Sequence, residues 1–263
     1  MRHNRLIDNI CLLLVFIFLF LPIFVLIVFS FNTSKLNIIF EGFTFRWYLE
    51  LFKNSMLLEA LWNTLLVAII STLVSTVIGT ISAYALKKFN FPFKKFINEL
   101  LYIPVVIPEI VLGISLLCIY SFLKIELGMV TLILSHIAFS IPFVIINVNS
   151  VMDMMNPHLE EAASDLGASK LKTFFYVVLP VLIPGILSGA QLAFTLSLDD
   201  VVISYFTAGP DSNTLPLQIF AMIKTGVTPD VNALITIMLL IIFVSLFISM
   251  SLSLRKIRKE ARV

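Results

Sequence analysis

The sequence predicts an all-α protein that crosses a membrane six times and keeps both termini in the cytoplasm. Three observations lead to this fold class. Hydrophobic residues make up 59% of the 263 residues and charged residues only 13%, with a mean hydropathy of +1.04, which is far more apolar than soluble domains. Six apolar runs are long enough to cross a hydrocarbon layer of about 30 Å. Lys and Arg also concentrate in alternate loops.

The six predicted spans are joined mostly by short connections. The first span begins after the basic stub MRHNR, which resembles the start of a secretory signal. Its apolar stretch is too long for a signal, and no A-x-A cleavage pattern follows it. We therefore interpret it as a retained span. The six spans are predicted at Ile10–Phe31, Leu61–Leu86, Phe96–Leu123, Met129–Val151, Val181–Thr207 and Asn232–Leu254.

The orientation follows from the distribution of Lys and Arg, because short loops rich in these residues stay in the cytoplasm. With both termini inside, thirteen of the 18 basic residues lie on the cytoplasmic side and five lie outside. The net charge of +2 then reflects membrane orientation and needs no nucleic-acid partner. Cys11 and Cys118 both fall within apolar spans, which argues against a disulfide framework or a metal site.

The loops leave little room for an appended domain. The outer segment after the first span contains FTFRWYLELFKNS, whose apolar residues recur at helical spacing among charges, which predicts a short helix in the membrane interface. The hairpin KKFNFPFKK and the turn KIEL are short, and the Pro- and Gly-containing loop after span five predicts a surface or re-entrant loop with a brief helix. We expect one six-span domain over residues 1–263.

Residues 156–180 form the one long polar segment between two spans. Asn156 and Pro157 favour a helix start, and Gly167 favours a left-handed stop. Glu160 and Glu161 fall in the first turns, where the helix dipole favours carboxylates. The small residues Ala162, Ala163 and Gly167 let another backbone approach closely. Two interpretations are open from these residues alone, a docking helix or a solvated connector.

The same segment resembles the cytoplasmic signature of permease subunits of bacterial ATP-binding-cassette (ABC) importers of the type I, binding-protein-dependent family. That signature is E-A-A, three residues, G, nine residues, an aliphatic residue, any residue, then L-P. The match is Glu161-Ala162-Ala163, Gly167, Val177 and Leu179-Pro180, with Val177 where Ile is usual. The segments WYLELF, EALWNTL, SLDDVVISYF and TLPLQIFAMIKTGVTPDVNAL resemble permeases of spermidine/putrescine importers.

The resemblance implies a function and a set of partners. The chain would be a permease subunit in a bacterial inner membrane, paired with a homologous permease subunit. Two cytoplasmic ATPase subunits would bind ATP and Mg²⁺, so no cofactor is expected on this chain, and an extracytoplasmic protein would deliver a polyamine. Contact with the ATPase is implied for the coupling-helix segment at Glu160, Glu161, Ala162, Ala163 and Gly167.

Carboxylates within the spans give a separate indication of the solute. A straight helix from Phe96 places Glu109 about 20 Å from the cytoplasmic side, and Asp199 and Asp200 fall in the outer part of span five. An ionised group at the centre of a span costs about 2.5–3.5 kcal/mol, so such groups face an interior or aqueous path. No Lys or Arg lies centrally in any span. A partner subunit or a cationic solute such as a polyamine would supply the counter-charge.

Structural alternatives stay open for each candidate. Asp199 and Asp200 can cap a broken helix, and Glu109 can be paired in a dimer interface. Ser197 offers a hydroxyl ligand but also suits a bond to its own backbone. Trp47 can stack on an ammonium group or anchor the interface, and His136 can relay protons or be held inside the bundle.

Absent motifs limit the function classes. No P-loop, H-E-x-x-H or G-x-S-x-G motif occurs, so the sequence predicts a transport subunit and no enzyme. The alternatives are a permease for another small solute or, from a different class, a secondary transporter that works without ATP. Secondary transporters commonly have paired repeats with broken spans, and no such pairing is evident.

Overall fold

The structure is a computed structural model that describes residues 5–35, 38–223 and 228–260, with side chains described at 8–35, 38–223 and 228–244. These residues form α-helices and one π-helical segment, Phe174–Val178, which confirms the all-α prediction. The helices are α1 Arg5–Phe29, α2 Arg46–Leu51, α3 Ser55–Lys88, α4 Lys94–Leu101, α5 Ile103–Val106, α6 Glu109–Phe122, α7 Met129–Met154, α8 His158–Asp165, α9 Lys170–Thr173, α10 Leu179–Asp199, α11 Val202–Thr207, α12 Leu215–Met222 and α13 Pro229–Glu260.

Four described helices are long and apolar enough to cross a membrane: Asp8–Phe29, Ser55–Lys88, Met129–Met154 and the continuous helix Lys170–Asp199. A bent pair formed by Lys94–Val106 and Glu109–Phe122 counts as a fifth candidate. In α13 the described apolar part, Pro229–Val244, is shorter than a full span. The number six and the cytoplasmic position of both termini therefore stay predictions.

The third predicted span is not one straight helix, which corrects the depth assigned to Glu109. The two halves of this span meet at an angle of 114°. The bend follows from Pro108, which has no backbone N–H to donate and which disfavours helical backbone at the residue before it. Ile107 accordingly has extended dihedral angles, φ −73° and ψ 138°. Counting residues along a straight axis does not apply across this bend.

The fifth predicted span is preceded by the π-helical segment and is interrupted near its C-terminal end. The π-helical segment lies one turn before Pro180, whose ring clashes with the carbonyl four residues earlier in a regular α-helix. A wider π turn accommodates that clash. At the other end α10 stops at Asp199, because Asp200 is extended, with φ −64° and ψ 126°. The remaining residues of the predicted span form α11.

The chain divides into two compact units, which we describe separately: residues 1–58 with 221–263, and residues 59–220. The first unit contains α1, α2, α13 and the start of α3. Its outer segment is held by Asn32, whose Nδ2 donates to the Ile39 carbonyl at 2.7 Å and whose Oδ1 accepts from the Glu41 N–H at 2.9 Å. Asn54 Nδ2 donates to Asp230 Oδ2 at 2.8 Å, which joins the start of α3 to the start of α13. The single domain predicted over residues 1–263 stays a prediction.

The second unit is built around the contact between α7 and α10. Its buried core contains Val144, Val148, Leu182 and Ala193. The helices approach closely because α10 presents glycine here, and a Cβ at Gly185 would lie 2.9 Å from the Asn147 carbonyl oxygen and 2.8 Å from Val151 Cγ2. Small residues that bring backbones together are the usual means of helix packing in membranes.

Replacing Gly185 by Ala should therefore destabilise the protein. The added methyl group would overlap a backbone carbonyl, and overpacking of this kind costs about 1–3 kcal/mol. We expect a lower unfolding temperature in detergent. Gly128→Ala is the control, because a Cβ there meets no atom within 4 Å. Equal unfolding temperatures for the two variants would contradict the close approach of α7 and α10.

Candidate functional site

One exposed face of α10 carries polar side chains within an apolar helix. Ser188, Gln191, Thr195 and Asp199 are all exposed, and their spacing of three, four and four residues places them on one side of the helix. We call these four residues the polar stripe. Polar groups are costly against hydrocarbon and normally face protein or water. The polar stripe therefore suits a protein partner or an aqueous path better than lipid.

The side of α10 that packs against α7 has the opposite character. Its buried residues are Leu182, Gly185, Gly189, Ala193 and Ser197, which are mostly small and apolar. The exposed residues of α10 therefore combine the polar stripe with the apolar side chains of Ile183, Leu187 and Leu192.

Two carboxylates are available on exposed surfaces. Asp199 is the last residue of α10, and Glu109 is the first residue of α6, directly after the bend. Both are exposed, and within the described part of the chain neither makes a hydrogen bond or an ion pair. A carboxylate without partners keeps all its acceptor positions for a ligand. Both residues can therefore contact a cation.

Asp200 differs from its neighbour Asp199, because it is buried and fully engaged. Its Oδ1 accepts a hydrogen bond from the Ile203 N–H at 3.1 Å, and its Oδ2 accepts from the Ser204 N–H and hydroxyl, both at 2.7 Å. These bonds satisfy N–H groups that are otherwise unpaired in the first turn of a helix. Asp200 thus caps α11.

His136 on α7 connects this cap to Ser197. His136 Nδ1 lies 2.7 Å from Ser197 Oγ, and its Nε2 lies 3.1 Å from Ser204 Oγ and 3.4 Å from Asp200 Oδ2. Ser197 Oγ also lies 3.2 Å from Ser71 Oγ on α3. A proton on Nε2 satisfies both ring nitrogens. Nε2 can then donate to Ser204 Oγ, whose own proton goes to Asp200, and Nδ1 can accept the proton of Ser197 Oγ. We call these five residues the buried polar cluster.

The structure thus separates the sequence-predicted residues of span five. Asp199 lies on the exposed polar stripe, whereas Ser197 and Asp200 belong to the buried polar cluster. Solute contact by Ser197 and Asp200 stays a prediction. The hydrogen bonds of Asp200 favour the alternative of a capped, broken helix, whereas Ser197 Oγ bonds to the side chains of His136 and Ser71. The same bonds place His136 inside the bundle with its partners close by.

Trp47 is fixed within the first unit. It is 5% exposed, and its Nε1 donates to the Asn32 carbonyl at 2.6 Å. The Arg46 guanidinium lies 5.6 Å from the centre of its ring, which is a cation–π distance. The surface helix predicted in this segment is confirmed as α2. Ammonium stacking by Trp47 stays a prediction, and its indole is already engaged with the protein.

Within the coupling-helix segment, α8 begins and ends as the sequence predicts. Asn156 Oδ1 accepts from the His158 N–H at 3.0 Å at the start of α8. At its end Gly167 has φ +80°, and the N–H groups of Gly167 and Ala168 donate to the carbonyls of Ser164 and Ala163. This pair of bonds is a Schellman motif. The motif fixes the direction in which the chain leaves α8.

The residues of α8 divide between two sides. Glu161 and Ala162 are exposed, and the Glu161 side chain is 73% exposed. Ala163 is buried, and Glu160 is directed towards α3, where its Oε2 lies 2.5 Å from Lys88 Nζ. Only part of the predicted contact set therefore faces outward. Contact of all five predicted residues with an ATPase stays a prediction.

Large apolar side chains that follow α8 along the chain are exposed. Leu166 is 90% exposed, Leu171 71% and Tyr176 80%. Exposed apolar groups beside a polar segment are typical of interaction surfaces. Among the described residues no group of three or more His, Cys, Asp or Glu is placed to hold a metal ion.

A family model described as the binding-protein-dependent transport system inner membrane component matches residues 75–262. The chain belongs to this family. The matched residues include α8, the bend at Glu109, the polar stripe and four of the five residues of the buried polar cluster, whereas Trp47 and Ser71 precede them. Membership identifies the chain as a membrane component of a transport system.

Relatives and a solved structure agree with this family. The chain is 42% identical over 235 residues, 89% of both chains, to the spermidine/putrescine transport system permease protein PotC of Escherichia coli K12. It is 37% identical over 258 residues to the putrescine transport system permease protein PotI of the same strain, covering 95% of this chain and 92% of PotI. A bacterial ABC transporter involved in the import of the acidic polysaccharide alginate shares its fold, with a TM-score of 0.71, 15% identity and coverage of 95% and 98%.

Several residues of this permease's candidate site escaped the sequence reasoning. Gln191 and Thr195 share the face of Asp199 at helical spacing, so their pattern was available in the sequence. The pairing of Lys88 with Glu160 had no such signal, because the two are 72 residues apart. His136 was a sequence candidate, but its partner Ser197, 61 residues away, could not be predicted. Only the packing of the helices brings these pairs together.

Replacing Gly167 by Ala should loosen the end of α8. Left-handed backbone costs an L-residue with a Cβ about 1–2 kcal/mol, although a Cβ here meets no atom within 4 Å. We expect faster hydrogen exchange at the Gly167 and Ala168 positions. Gly167→Asn is the matched control, because Asn tolerates this conformation, and equal exchange in both variants would contradict the strain argument.

The two adjacent aspartates should respond differently to substitution. Asp200→Ala removes the acceptor for three hydrogen bonds in a buried place, at a cost of about 1–3 kcal/mol per donor left unsatisfied. Asp199→Ala removes an exposed group with no partner among the described residues. We expect thermal unfolding in detergent to shift down for Asp200→Ala alone. A similar shift for both variants would refute the assignment of Asp200 as the cap.

Proposed function

We propose that this chain is the permease subunit through which an ATP-driven importer takes up polyamines such as spermidine and putrescine. The observation that carries the proposal is the 42% identity to a spermidine/putrescine permease over 89% of both chains. The second supporting relative is a putrescine permease. Both names describe importers of small organic cations.

The exposed carboxylates support a cationic solute. Asp199 on the polar stripe and Glu109 at the bend are exposed, acidic and without partners among the described residues. A polyamine carries ammonium groups separated by methylenes, so it matches carboxylates placed on an otherwise apolar and weakly polar surface. Gln191 and Thr195 add neutral hydrogen-bonding groups along the same path. In this proposal Ser197 and Asp200 lie behind the path, in the buried polar cluster, and their hydrogen bonds hold the helices beside it in place.

The assembly we propose follows from the family. A homologous permease subunit would cover the polar stripe, so that the solute path runs between the two subunits. Six spans with both termini in the cytoplasm place α8 on the cytoplasmic side, where two ATPase subunits bind ATP and Mg²⁺. An extracytoplasmic binding protein delivers the polyamine. Exposed Glu161, Ala162, Leu166 and Leu171 form the surface for the ATPase.

Transport in this proposal uses the continuity of the helix after α8. The ATPase moves α8, and α9 and the π-helical segment lead from it into α10 without interruption. A displacement of α8 therefore reaches the polar stripe through one continuous helix. Access to the path alternates as the helices shift between two packed arrangements.

The two alternative functions have less support. A permease of this class for an uncharged or anionic solute would fit the family equally, but the counter-charge for Glu109 and Asp199 would then have to come from a partner subunit. An ATP-independent secondary transporter would leave the docking signature and the exposed apolar residues around α8 without a role.

Uptake of radiolabelled spermidine into vesicles that contain the assembled complex tests the solute. Glu109→Gln and Asp199→Asn should each lower uptake at low spermidine concentration about tenfold, equivalent to about 1.4 kcal/mol for one ammonium–carboxylate contact. Glu126→Gln is the control, since Glu126 is also exposed but lies in the turn between α6 and α7. Uptake by all three variants at the wild-type rate would refute the solute path.

A further inference from the structure

Glu160 and Glu161 are neighbours in sequence but face opposite sides of α8. The Glu160 side chain is 14% exposed and the Glu161 side chain is 73% exposed. Within the described part of the chain, Glu161 is paired with His158 on its own helix, at 2.9 Å. Glu160 instead reaches a different helix, α3.

Glu160 is held by two residues on the last turns of α3. Its Oε2 accepts from Lys88 Nζ at 2.5 Å and from the Tyr84 hydroxyl at 3.3 Å. Tyr84 and Lys88 are four residues apart, so they lie on one side of α3. Both can therefore reach a single carboxylate oxygen.

The same tyrosine also contacts the segment that follows α8. The ring of Tyr84 lies 4.8 Å, centre to centre, from the ring of Phe174, which is the first residue of the π-helical segment. Aromatic pairs at this distance are attractive beyond the area that they bury. The end of α3 thus touches α8 through Glu160 and the start of the next span through Phe174.

The two partners of this ion pair differ in their exposure to water. Hydrogen bonds between charged groups are shorter and stronger than neutral ones, and Glu160 is largely shielded from water. Exposed ion pairs contribute little to stability, because water and salt screen their charges. This screening reaches Lys88, whose side chain is 46% exposed. The shielded carboxylate would be left without a counter-charge if Lys88 were lost.

We propose that Lys88 and Tyr84 are positioning residues that fasten α8 to α3, so that α3 moves together with α8 when the ATPase acts. We call Tyr84, Lys88 and Glu160 the latch. In this arrangement Glu160 does not contact the ATPase, and the docking surface contains Glu161 and Ala162. The inference rests on the proposed function, because it requires that α8 be the helix on which the ATPase acts.

The test measures spermidine uptake and ATP hydrolysis in vesicles that contain this chain, its partner permease, the ATPase and the binding protein. Lys88→Glu and Glu160→Lys should each lower the ratio of spermidine transported to ATP hydrolysed about fivefold, while the ATPase still copurifies with the complex. Lys88→Arg should keep the wild-type ratio, since it keeps the charge. Tyr84→Phe should lower the ratio less, about twofold.

The decisive variant combines Lys88→Glu with Glu160→Lys. The double variant restores the ion pair with its two charges exchanged between α3 and α8. The ratio of spermidine transported to ATP hydrolysed should therefore return towards the wild-type value. Lys94→Glu is the control for the change of charge, because Lys94 is the first residue of α4 and donates to Asn90 Oδ1 at 3.2 Å. A double variant no better than either single variant would overturn the latch.

A second set of variants separates failure of the latch from failure of the proposed function. Ala162→Trp changes the outward side of α8 and should abolish copurification of the ATPase. If Ala162→Trp has this effect but Lys88→Glu and Glu160→Lys keep the wild-type ratio, the latch alone is wrong. If the wild-type complex takes up no spermidine, or if the Ala162→Trp variant binds the ATPase normally, the proposed function is wrong. The inference about the latch is then wrong as well.

Discussion

The need to satisfy polar groups where water is absent governs the organisation of this permease. A backbone or side-chain polar group in hydrocarbon has no water to bond with, so it must find a partner within the protein or face an aqueous surface. The buried polar cluster meets this need internally, because His136, Ser197, Ser204 and Asp200 bond to one another across three helices. The polar stripe meets it only in part, because Ser188 donates to Asn147 Oδ1 and Thr195 donates to the Gln191 carbonyl, whereas Asp199 has no partner among the described residues. The exposed Asp199 therefore indicates a surface covered by another subunit or by water.

The breaks in the predicted spans follow the same requirement. At Pro108 the chain loses a backbone donor and turns sharply, and α6 restarts at Glu109 with its carboxylate exposed. At Asp200 the helix ends, and the carboxylate replaces the missing acceptors of the first turn of α11. In both places an acidic residue stands where regular hydrogen bonding stops. The Asp200 carboxylate accepts the hydrogen bonds of the cap, whereas the Glu109 carboxylate remains available to a ligand.

The segment from α8 to α10 combines fixed geometry with an open surface. The Schellman motif at Gly167 sets its direction, and Glu160 ties its inner side to α3. Its outer side exposes Glu161, Ala162, Leu166 and Leu171, which have the chemistry of a docking surface. The π-helical segment before Pro180 then continues the chain into α10 without a loop. Rigid connections of this kind allow a local displacement to reach distant side chains.

Sequence alone determined the fold class, the helical nature of each predicted span and the limits of α8, because hydrophobic length, proline and glycine act locally along the chain. It also pointed to Glu109, Asp199 and Asp200 as unusual. Tertiary structure decided which of these carboxylates is exposed, since Asp199 and Asp200 are adjacent and differ only in what packs beside them. It likewise decided that Glu160 faces α3 while Glu161 faces outward. Burial and long-range partners such as Lys88 and His136 depend on how helices pack, and no local pattern encodes that packing.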